Sequence, residues 1–323
     1  MKVRVIGAGA LGMLIAASLA EAGIQIELVT RSREQADTLS EEGLLLLKKK
    51  SDASQQEVIV RPIVMSEDKL ELTTGVQAAP DVILLMVKQT AVTEELADKI
   101  AAQMKPETRL ICFQNGIGHT DILSRSIPAE QIWLAVTTEG AFRHHSRCVE
   151  HTGRGLTWLG PLSMPNDQKN EDDLEKKLQK MFQDAGFNVS LSNKITSKVW
   201  NKLLINSVIN PLTAILQIPN GKLTQLPATM PLMRALFEEG VQLAGKLGIE
   251  LADDLWEQLL TVCERTAANQ SSMLQDIRAC RLTELDSITG GLLAKAQQAG
   301  MGLPAHRTVY QLVRSIEQQW GKI

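Results

Sequence analysis

The run MKVRVIGAGALG at residues 1–12 constrains the fold more than any other stretch of the chain. Val3, Val5 and Ile6 form a short, β-branched apolar run, the composition of a buried parallel strand. Gly7, Gly9 and Gly12 follow at once in G-x-G-x-x-G spacing. Residues 13–22 are then small and apolar, as in a helix that Gly23 stops. Strand, glycine turn and helix in that order make half of a dinucleotide site. Gly7 allows the tight turn, Gly9 lets the backbone approach a pyrophosphate, and Gly12 lets the helix lie close to the strand. Cofactor contacts are therefore expected at Gly7, Gly9, Ala10, Leu11 and Gly12, where free N–H groups and the helix dipole favour an anion. The alternative is a glycine turn with a structural role only.

Residues 24–29 (IQIELV) read as the second strand. A site for NAD usually ends this strand in a carboxylate that binds the ribose hydroxyls. Here Thr30-Arg31-Ser32-Arg33 stand at that end, while Glu27 comes too early and Glu34 opens the next helix. A carboxylate would repel a 2′-phosphate; guanidiniums and hydroxyls would hold one. The expectation is NADPH over NADH, with Arg31 as the main phosphate ligand, against the alternative that Arg31 and Arg33 are ordinary solvated charges.

At 323 residues the chain is long enough for two domains. With 44% hydrophobic and 22% charged residues it has the make-up of an ordinary globular protein. A net charge of −3 with mixed signs speaks against nucleic acid or a membrane surface as partner. No apolar run approaches the roughly 20 residues of a membrane span. The chain enters its first strand at once, so no leader is expected. Cys112, Cys148, Cys263 and Cys280 form no C-x-x-C and read as reduced thiols of a cytoplasmic protein, mostly core filler.

A polar helix is expected over 32–42, strands over 44–47 and 58–64 with a polar connection over 48–56, and a buried strand over 81–87 ending in Lys88 and Gln89. A helix over 93–104 precedes a strand over 109–113 that ends in Gln114-Asn115-Gly116-Ile117-Gly118. A strand over 132–137 ends in Thr138-Glu139-Gly140-Ala141. Successive strands ending in polar or glycine clusters form the rim of a cofactor cleft. Residues 148–151 and 155–160 read as an antiparallel hairpin around Thr152-Gly153-Arg154, followed by a helix over 174–185 and a strand over 187–191. His144, His145 and His151 lack a matching carboxylate or cysteine set, so surface histidines are expected rather than a metal site.

From residue 193 the strands stop, and helical spacing covers 195–210, 231–247, 252–266, 271–299 and 304–320. The fold class is thus an α/β N-terminal domain (1–192) plus an all-α C-terminal domain (193–323). Lys198, Lys202, Asn206 and Asn210 recur at four-residue spacing and share one helix face. Asparagine is a poor helix former, but it offers a donor and an acceptor to a ligand. The alternative is that these asparagines bridge neighbouring helices. Pro211 is expected to kink or end the helix. Ser272, Asp276 and Glu284 repeat the spacing on another helix, where an Arg281–Glu284 pair would be a plain surface explanation.

With these blocks in view the chain resembles the ketopantoate reductases over nearly its whole length. The resemblance rests on GAGALG at 7–12, Lys88, QNGIG at 114–118, KVWNKLLINSVINPLTAI from Lys198, PNGKL from Pro219, SSMLQDIRACRLTELDSITG from Ser271 and GLPAH near Pro304. It implies a Rossmann-type N-terminal domain that binds NADPH and a helical domain that closes over a small-molecule 2-ketoacid. It also implies reduction of 2-dehydropantoate to (R)-pantoate in pantothenate and coenzyme A synthesis. By the resemblance Lys202 is the general acid and Glu284 its catalytic partner, which also contacts cofactor. Asn206, Asn210 and Asn220 bind substrate, and Ser272 binds its carboxylate. Lys88 and Asn115 contact cofactor and substrate, Ala141 contacts cofactor, and Arg31 takes the 2′-phosphate. No metal is needed, since lysine is the electrophile, and a homodimer is left open. The chain departs from the family pattern around residues 48–71 and at Glu139-Gly140. The alternatives are a reductase of another 2-ketoacid or of an imine, and a non-catalytic NADPH sensor. An imine reductase has no use for the Lys202–Asn206–Asn210 stripe, and a sensor has none for the lysine–glutamate pair.

Overall fold

The computed structural model describes residues 1–49, 55–73, 79–163 and 168–320. It divides into two compact units, Met1–Gln114 with His119–Ile195 and Asn115–Gly118 with Thr196–Ile323. The first is α/β and the second helical, the fold class that the sequence pattern predicts.

In the first unit the strands are β1 (Lys2–Ile6), β2 (Gln25–Thr30), β3 (Leu44–Lys49), β4 (Gln55–Val60), β5 (Ile63–Ser66), β6 (Val82–Leu85), β7 (Arg109–Cys112), β8 (Ile132–Thr137), β9 (Gly140–His145), β10 (Cys148–Gly153), β11 (Leu156–Pro161) and β12 (Asn188–Leu191). The helices are α1 (Ala10–Glu21), α2 (Arg33–Glu42), α3 (Glu94–Ala101), α4 (His119–Leu123) and α5 (Gln168–Asp184). The larger sheet runs β12-β11-β8-β7-β6-β1-β2-β5, and a second sheet runs β4-β3-β10-β9. β1 is paired in parallel with β2 on one side and β6 on the other, so its apolar residues are buried on both faces. The order reverses between β1 and β6, which places the crevice favoured by ligands at the carboxyl ends of these two strands.

Helix α1 packs against strands of both sheets, and this explains why it is apolar on nearly every face. Arg4, at the middle of β1, is 1% exposed. Its Nε donates to Glu27 at 2.8 Å, and Lys2 Nζ lies 2.7 Å from the same carboxylate. Removing one partner of such a buried pair costs about 3–5 kcal/mol. Glu27 is therefore committed to the sheet.

Three expectations for this unit are corrected. The run 58–64 is two strands in different sheets, broken at Arg61-Pro62, because proline cannot donate to a ladder. Of the 48–56 connection, Lys48, Lys49, Gln55 and Gln56 belong to β3 and β4, paired antiparallel, and 50–54 lie outside the described residues. The hairpin around Thr152-Gly153-Arg154 is instead β9 against β10, turning at Ser146-Arg147, whereas β11 joins the larger sheet against β8 and β12.

In the second unit α6 (Ile195–Leu216), α7 (Lys222–Gln225), α8 (Thr229–Lys246), α9 (Leu255–Arg265), α10 (Ser272–Arg278), α11 (Gly291–Gln298) and α12 (Pro304–Gln318) surround a core that includes Leu203, Leu204, Val208, Leu243, Leu259 and Leu292. Here a helix end at Pro211 and a single helix over 271–299 are both corrected. Helix α6 continues through Pro211 to Leu216, held by the burial of Leu212 and Ala214 beyond the proline. The stretch 271–299 is not one helix. It stops at Arg278, passes through Cys280 at φ +49°, and resumes as a π-helical turn, Asp286–Gly290, that leads into α11.

Candidate functional site

The residues with a predicted role fall into one set on each unit. On the first, the glycine turn has the geometry that its sequence demands. Gly7 sits at φ +113°, and a Cβ there would lie 2.7 Å from Val87 N and 2.8 Å from Met86 C, in the segment after β6. A Cβ on Gly12 would overlap the carbonyl oxygen of Gly7. Both glycines thus keep the three segments of the turn in close contact. Gly9 differs: a Cβ there meets nothing within 4 Å. Gly9 caps α1 with no side-chain hydrogen bond, and the first turn carries no acidic residue. Open space above unpaired helix N–H groups is the cradle that a pyrophosphate fits. Ala10 and Leu11 form that first turn.

The β2 exit is sparser than the sequence suggests. Ser32 caps α2, accepting from Gln35 N–H at 3.3 Å, and Thr30 Oγ1 donates to the Ser32 carbonyl at 2.8 Å. Arg33 is ion-paired with Asp68. The two-guanidinium, two-hydroxyl cluster is therefore corrected to Arg31, which is exposed and has no side-chain partner among the described residues. Lys88 is exposed at the start of the 3₁₀ turn Gln89–Ala91. Ala141 is half-buried on β9. Gln114 Nε2 donates to Leu85 O at 2.9 Å and Val87 O at 3.0 Å, fastening the β6 exit to that of β7. His144 and His145 are exposed, as expected, whereas His151 is half-buried. His144 Nε2 is 2.9 Å from Glu150, and His151 Nε2 is 2.7 Å from Glu139, whose side chain is 2% exposed. Among the described residues no group of three or more His, Cys, Asp and Glu could hold a metal ion.

On the second unit, Lys198, Lys202, Asn206 and Asn210 lie on α6 with the predicted spacing. Asn210 is 5% exposed and Asn206 half-buried. Neither side chain hydrogen-bonds to another element among the described residues; the bridging asparagine is Asn201, whose Oδ1 accepts from Ala252 N–H at 3.2 Å. Burial pushes the Lys202 ammonium down from its ordinary value to about 8, with Glu284 pulling the other way. Glu284 Oε2 accepts from Asn115 Nδ2 at 3.0 Å. The QNGIG loop is locked beside it: Gly116 is at φ +88°, a Cβ there would overlap the Ser287 carbonyl, and Ile117 N–H donates to that carbonyl at 3.1 Å. Asn220 is 7% exposed; its Nδ2 donates to Thr266 Oγ1 at 2.9 Å, and its Oδ1 is buried with no partner. An orphaned buried acceptor of this kind suits a ligand donor.

Ser272 is exposed at the start of α10, which Ser271 caps. Glu284 is not on that helix, so the Ser272–Asp276–Glu284 stripe does not exist. The Arg281–Glu284 pair is also absent, since Arg281 bonds Asp276 at 2.9 Å. The sequence missed two groups of supporting residues. His306, fully buried, donates from Nδ1 to Glu239 Oε2 at 2.8 Å and lies 3.3 Å from Ser207 Oγ on α6. Thr283 and Glu317 flank and hold the Glu284 segment. Only the GLPAH block hinted at the first group, and nothing in the sequence announced the second.

Comparison with known proteins decides the family. Residues 3–164 match the model for ketopantoate reductase PanE/ApbA, and residues 194–317 match that for its C-terminal part. This chain belongs to the ketopantoate reductase family. It is 32% identical over 324 residues to the 2-dehydropantoate 2-reductase of Vibrio cholerae, covering 100% of both chains. To that of Archaeoglobus fulgidus it is 30% identical over 317 residues, 98% of each. Among solved structures, a PanE/ApbA family ketopantoate reductase from Ralstonia eutropha superposes with a TM-score of 0.84, 27% identity and 99% coverage of both chains. A D-mandelate dehydrogenase in complex with NADH and anilino(oxo)acetate gives a TM-score of 0.85, 26% identity and 99% coverage of both. As a ketopantoate reductase family member the protein is an oxidoreductase with a nicotinamide cofactor. No helix among the described residues is long and apolar enough to cross a membrane.

Proposed function

We propose that this enzyme reduces 2-dehydropantoate to (R)-pantoate with NADPH, at the ketopantoate step of pantothenate and coenzyme A synthesis. We place it in the cytoplasm, where its free thiols stay reduced. The observation that carries the reading is the half-buried Lys202 with its lowered pKa, beside a Glu284 that Asn115 holds. Bound NADPH supplies the hydride that reaches the C2 carbonyl carbon. The Lys202 ammonium stabilises the charge growing on the carbonyl oxygen, then passes a proton from Nζ to it and regains one from solvent. Glu284 keeps Lys202 oriented and charged until that transfer. Asn206, Asn210 and the free Oδ1 of Asn220 hold the hydroxyl and carbonyl groups of the substrate, and Ser272 its carboxylate. Gly7, Gly9, Ala10, Leu11 and Gly12 hold the pyrophosphate, Arg31 the 2′-phosphate, and Lys88, Asn115 and Ala141 the remainder of the cofactor.

The test is NADPH oxidation with 2-dehydropantoate, run beside NADH. Lys202→Ala is expected to lower kcat about a hundredfold or more, the usual span of a general acid. The acid works protonated, so wild-type kcat should fall as pH rises through about 8. Equal use of NADH removes the role given to Arg31. The D-mandelate dehydrogenase likeness favours a second reading, reduction of an aryl 2-ketoacid, and turnover of such a substrate in preference to 2-dehydropantoate would establish it.

A further inference from the structure

Glu284 lies between α10 and the π-helical turn, where its carbonyl accepts from Ile288 N–H and the Ser287 hydroxyl, both at 3.0 Å, while the residues before it, 281–283, follow no helical ladder. Its neighbours on the N-terminal side are held from α12. Glu317, near the end of α12, is 1% exposed. Its Oε1 accepts both the backbone N–H of Thr283 at 2.9 Å and the Thr283 hydroxyl at 2.7 Å. The same hydroxyl oxygen accepts from Leu285 N–H at 3.1 Å, so Thr283 ties the residues before and after Glu284 together. Arg314, one turn back on α12, donates to Glu317 Oε2 at 3.0 Å and is ion-paired with Asp286. Asp286 Oδ1 also accepts from the Tyr310 hydroxyl at 2.7 Å. Residues 283, 285 and 286 are thus all linked into one network, while the Glu284 side chain turns to Asn115.

A buried carboxylate is an expensive way to stabilise a helix contact, because desolvation cancels much of the attraction and an apolar residue of similar size serves as well. What this network adds is a single position for the chain at Glu284. We propose that Glu317, with Arg314, is a positioning residue for the reaction: it fixes the segment 283–286 so that Glu284 stays against Asn115 and beside Lys202. The inference rests on reading Glu284 and Lys202 as the reacting pair. Glu284 is the charged group identified beside Lys202, and its charge favours the ammonium, so any displacement of Glu284 lowers the pKa of Lys202.

The experiment uses the full-length enzyme, 2-dehydropantoate and NADPH, with kcat, KM and the kcat–pH profile measured for each variant. Glu317→Ala is expected to lower kcat about tenfold, as displacement of a catalytic group by a fraction of an ångström does. It should also move the basic limb of the profile to lower pH and leave the KM for NADPH unchanged. Glu317→Gln keeps an oxygen for both Thr283 bonds and loses only the Arg314 bond, so it should recover most of the rate. A folded Glu317→Ala enzyme with wild-type kcat and pH profile overturns the proposal. If that variant does not fold, Thr283→Val, which removes the hydroxyl links and keeps the N–H bond, is read by the same two measurements. It should shift both in the same direction, and wild-type values overturn the proposal. Glu284→Gln separates the two layers: a wild-type rate there overturns the site reading itself, whereas an impaired Glu284→Gln beside an unimpaired Glu317→Ala overturns the positioning role alone.

Discussion

The glycine turn after β1 and the segment around Glu284 both leave regular secondary structure, and they do so by opposite means. At Gly7 and Gly12 the chain omits side chains so that backbone meets backbone, and at Gly9 so that the space over a helix N-terminus stays open. At 283–286 it adds side chains: Glu317 and the Thr283 hydroxyl take the backbone N–H groups of Thr283 and Leu285, and Arg314 ties Glu317 to Asp286. A turn that must receive a large anion is built from open N–H groups. A segment that must aim one carboxylate is built from satisfied ones. The loop at Asn115–Gly118 belongs to both styles, with Gly116 chosen for its left-handed backbone and Asn115 for its amide.

Three substitutions sharpen or break this contrast. Gly12→Val has the largest expected effect: its side chain would overlap the Gly7 carbonyl, backbone that no rotamer change can move aside. NADPH affinity should fall by about a hundredfold or more in a fluorescence titration, with a large drop in Tm. Gly116→Ala comes next, because strain at positive φ adds to overlap with Ser287. Denaturant unfolding should show a loss of about 2–4 kcal/mol, and kcat should drop while NADPH binding survives. Gly9→Ala is the mildest. With open space around it and an ordinary φ, stability should stay within about 0.5 kcal/mol while NADPH binding weakens. A Gly9→Ala enzyme that binds NADPH as the wild type does would show that this glycine is not where the pyrophosphate lies.

The same contrast governs what could be read in advance. Chemistry based on omitted side chains leaves a local signature, so the strand, the glycines and α1 were legible, and so was the stripe on α6, because helical period alone sets it. What failed depended on distant partners. Nothing near Cys280 announces a helix break; no glycine or proline stands between Ser271 and Thr289. Glu317 reaches Thr283 from 34 positions away. β9 carries GAFRHH with an exposed, unpatterned face and gave no strand signal, although it pairs antiparallel with β10 apart from register shifts at Cys148/Val149 and His151/Gly153. Pro211 signalled a possible helix end, which burial of the following turn overrode.

The chain leaves the first compact unit at Gln114, spends four residues in the second, returns at His119 and leaves again after Ile195. No single cut therefore yields both units intact. A fragment ending near residue 195 would carry Asn115–Gly118 without the Ser287 carbonyl that Ile117 needs, and a fragment starting there would lose Asn115 from Glu284. Grafting the helical half onto another α/β half by simple fusion would lose the same four residues, so exchange of these modules in this chain requires three crossover points rather than one.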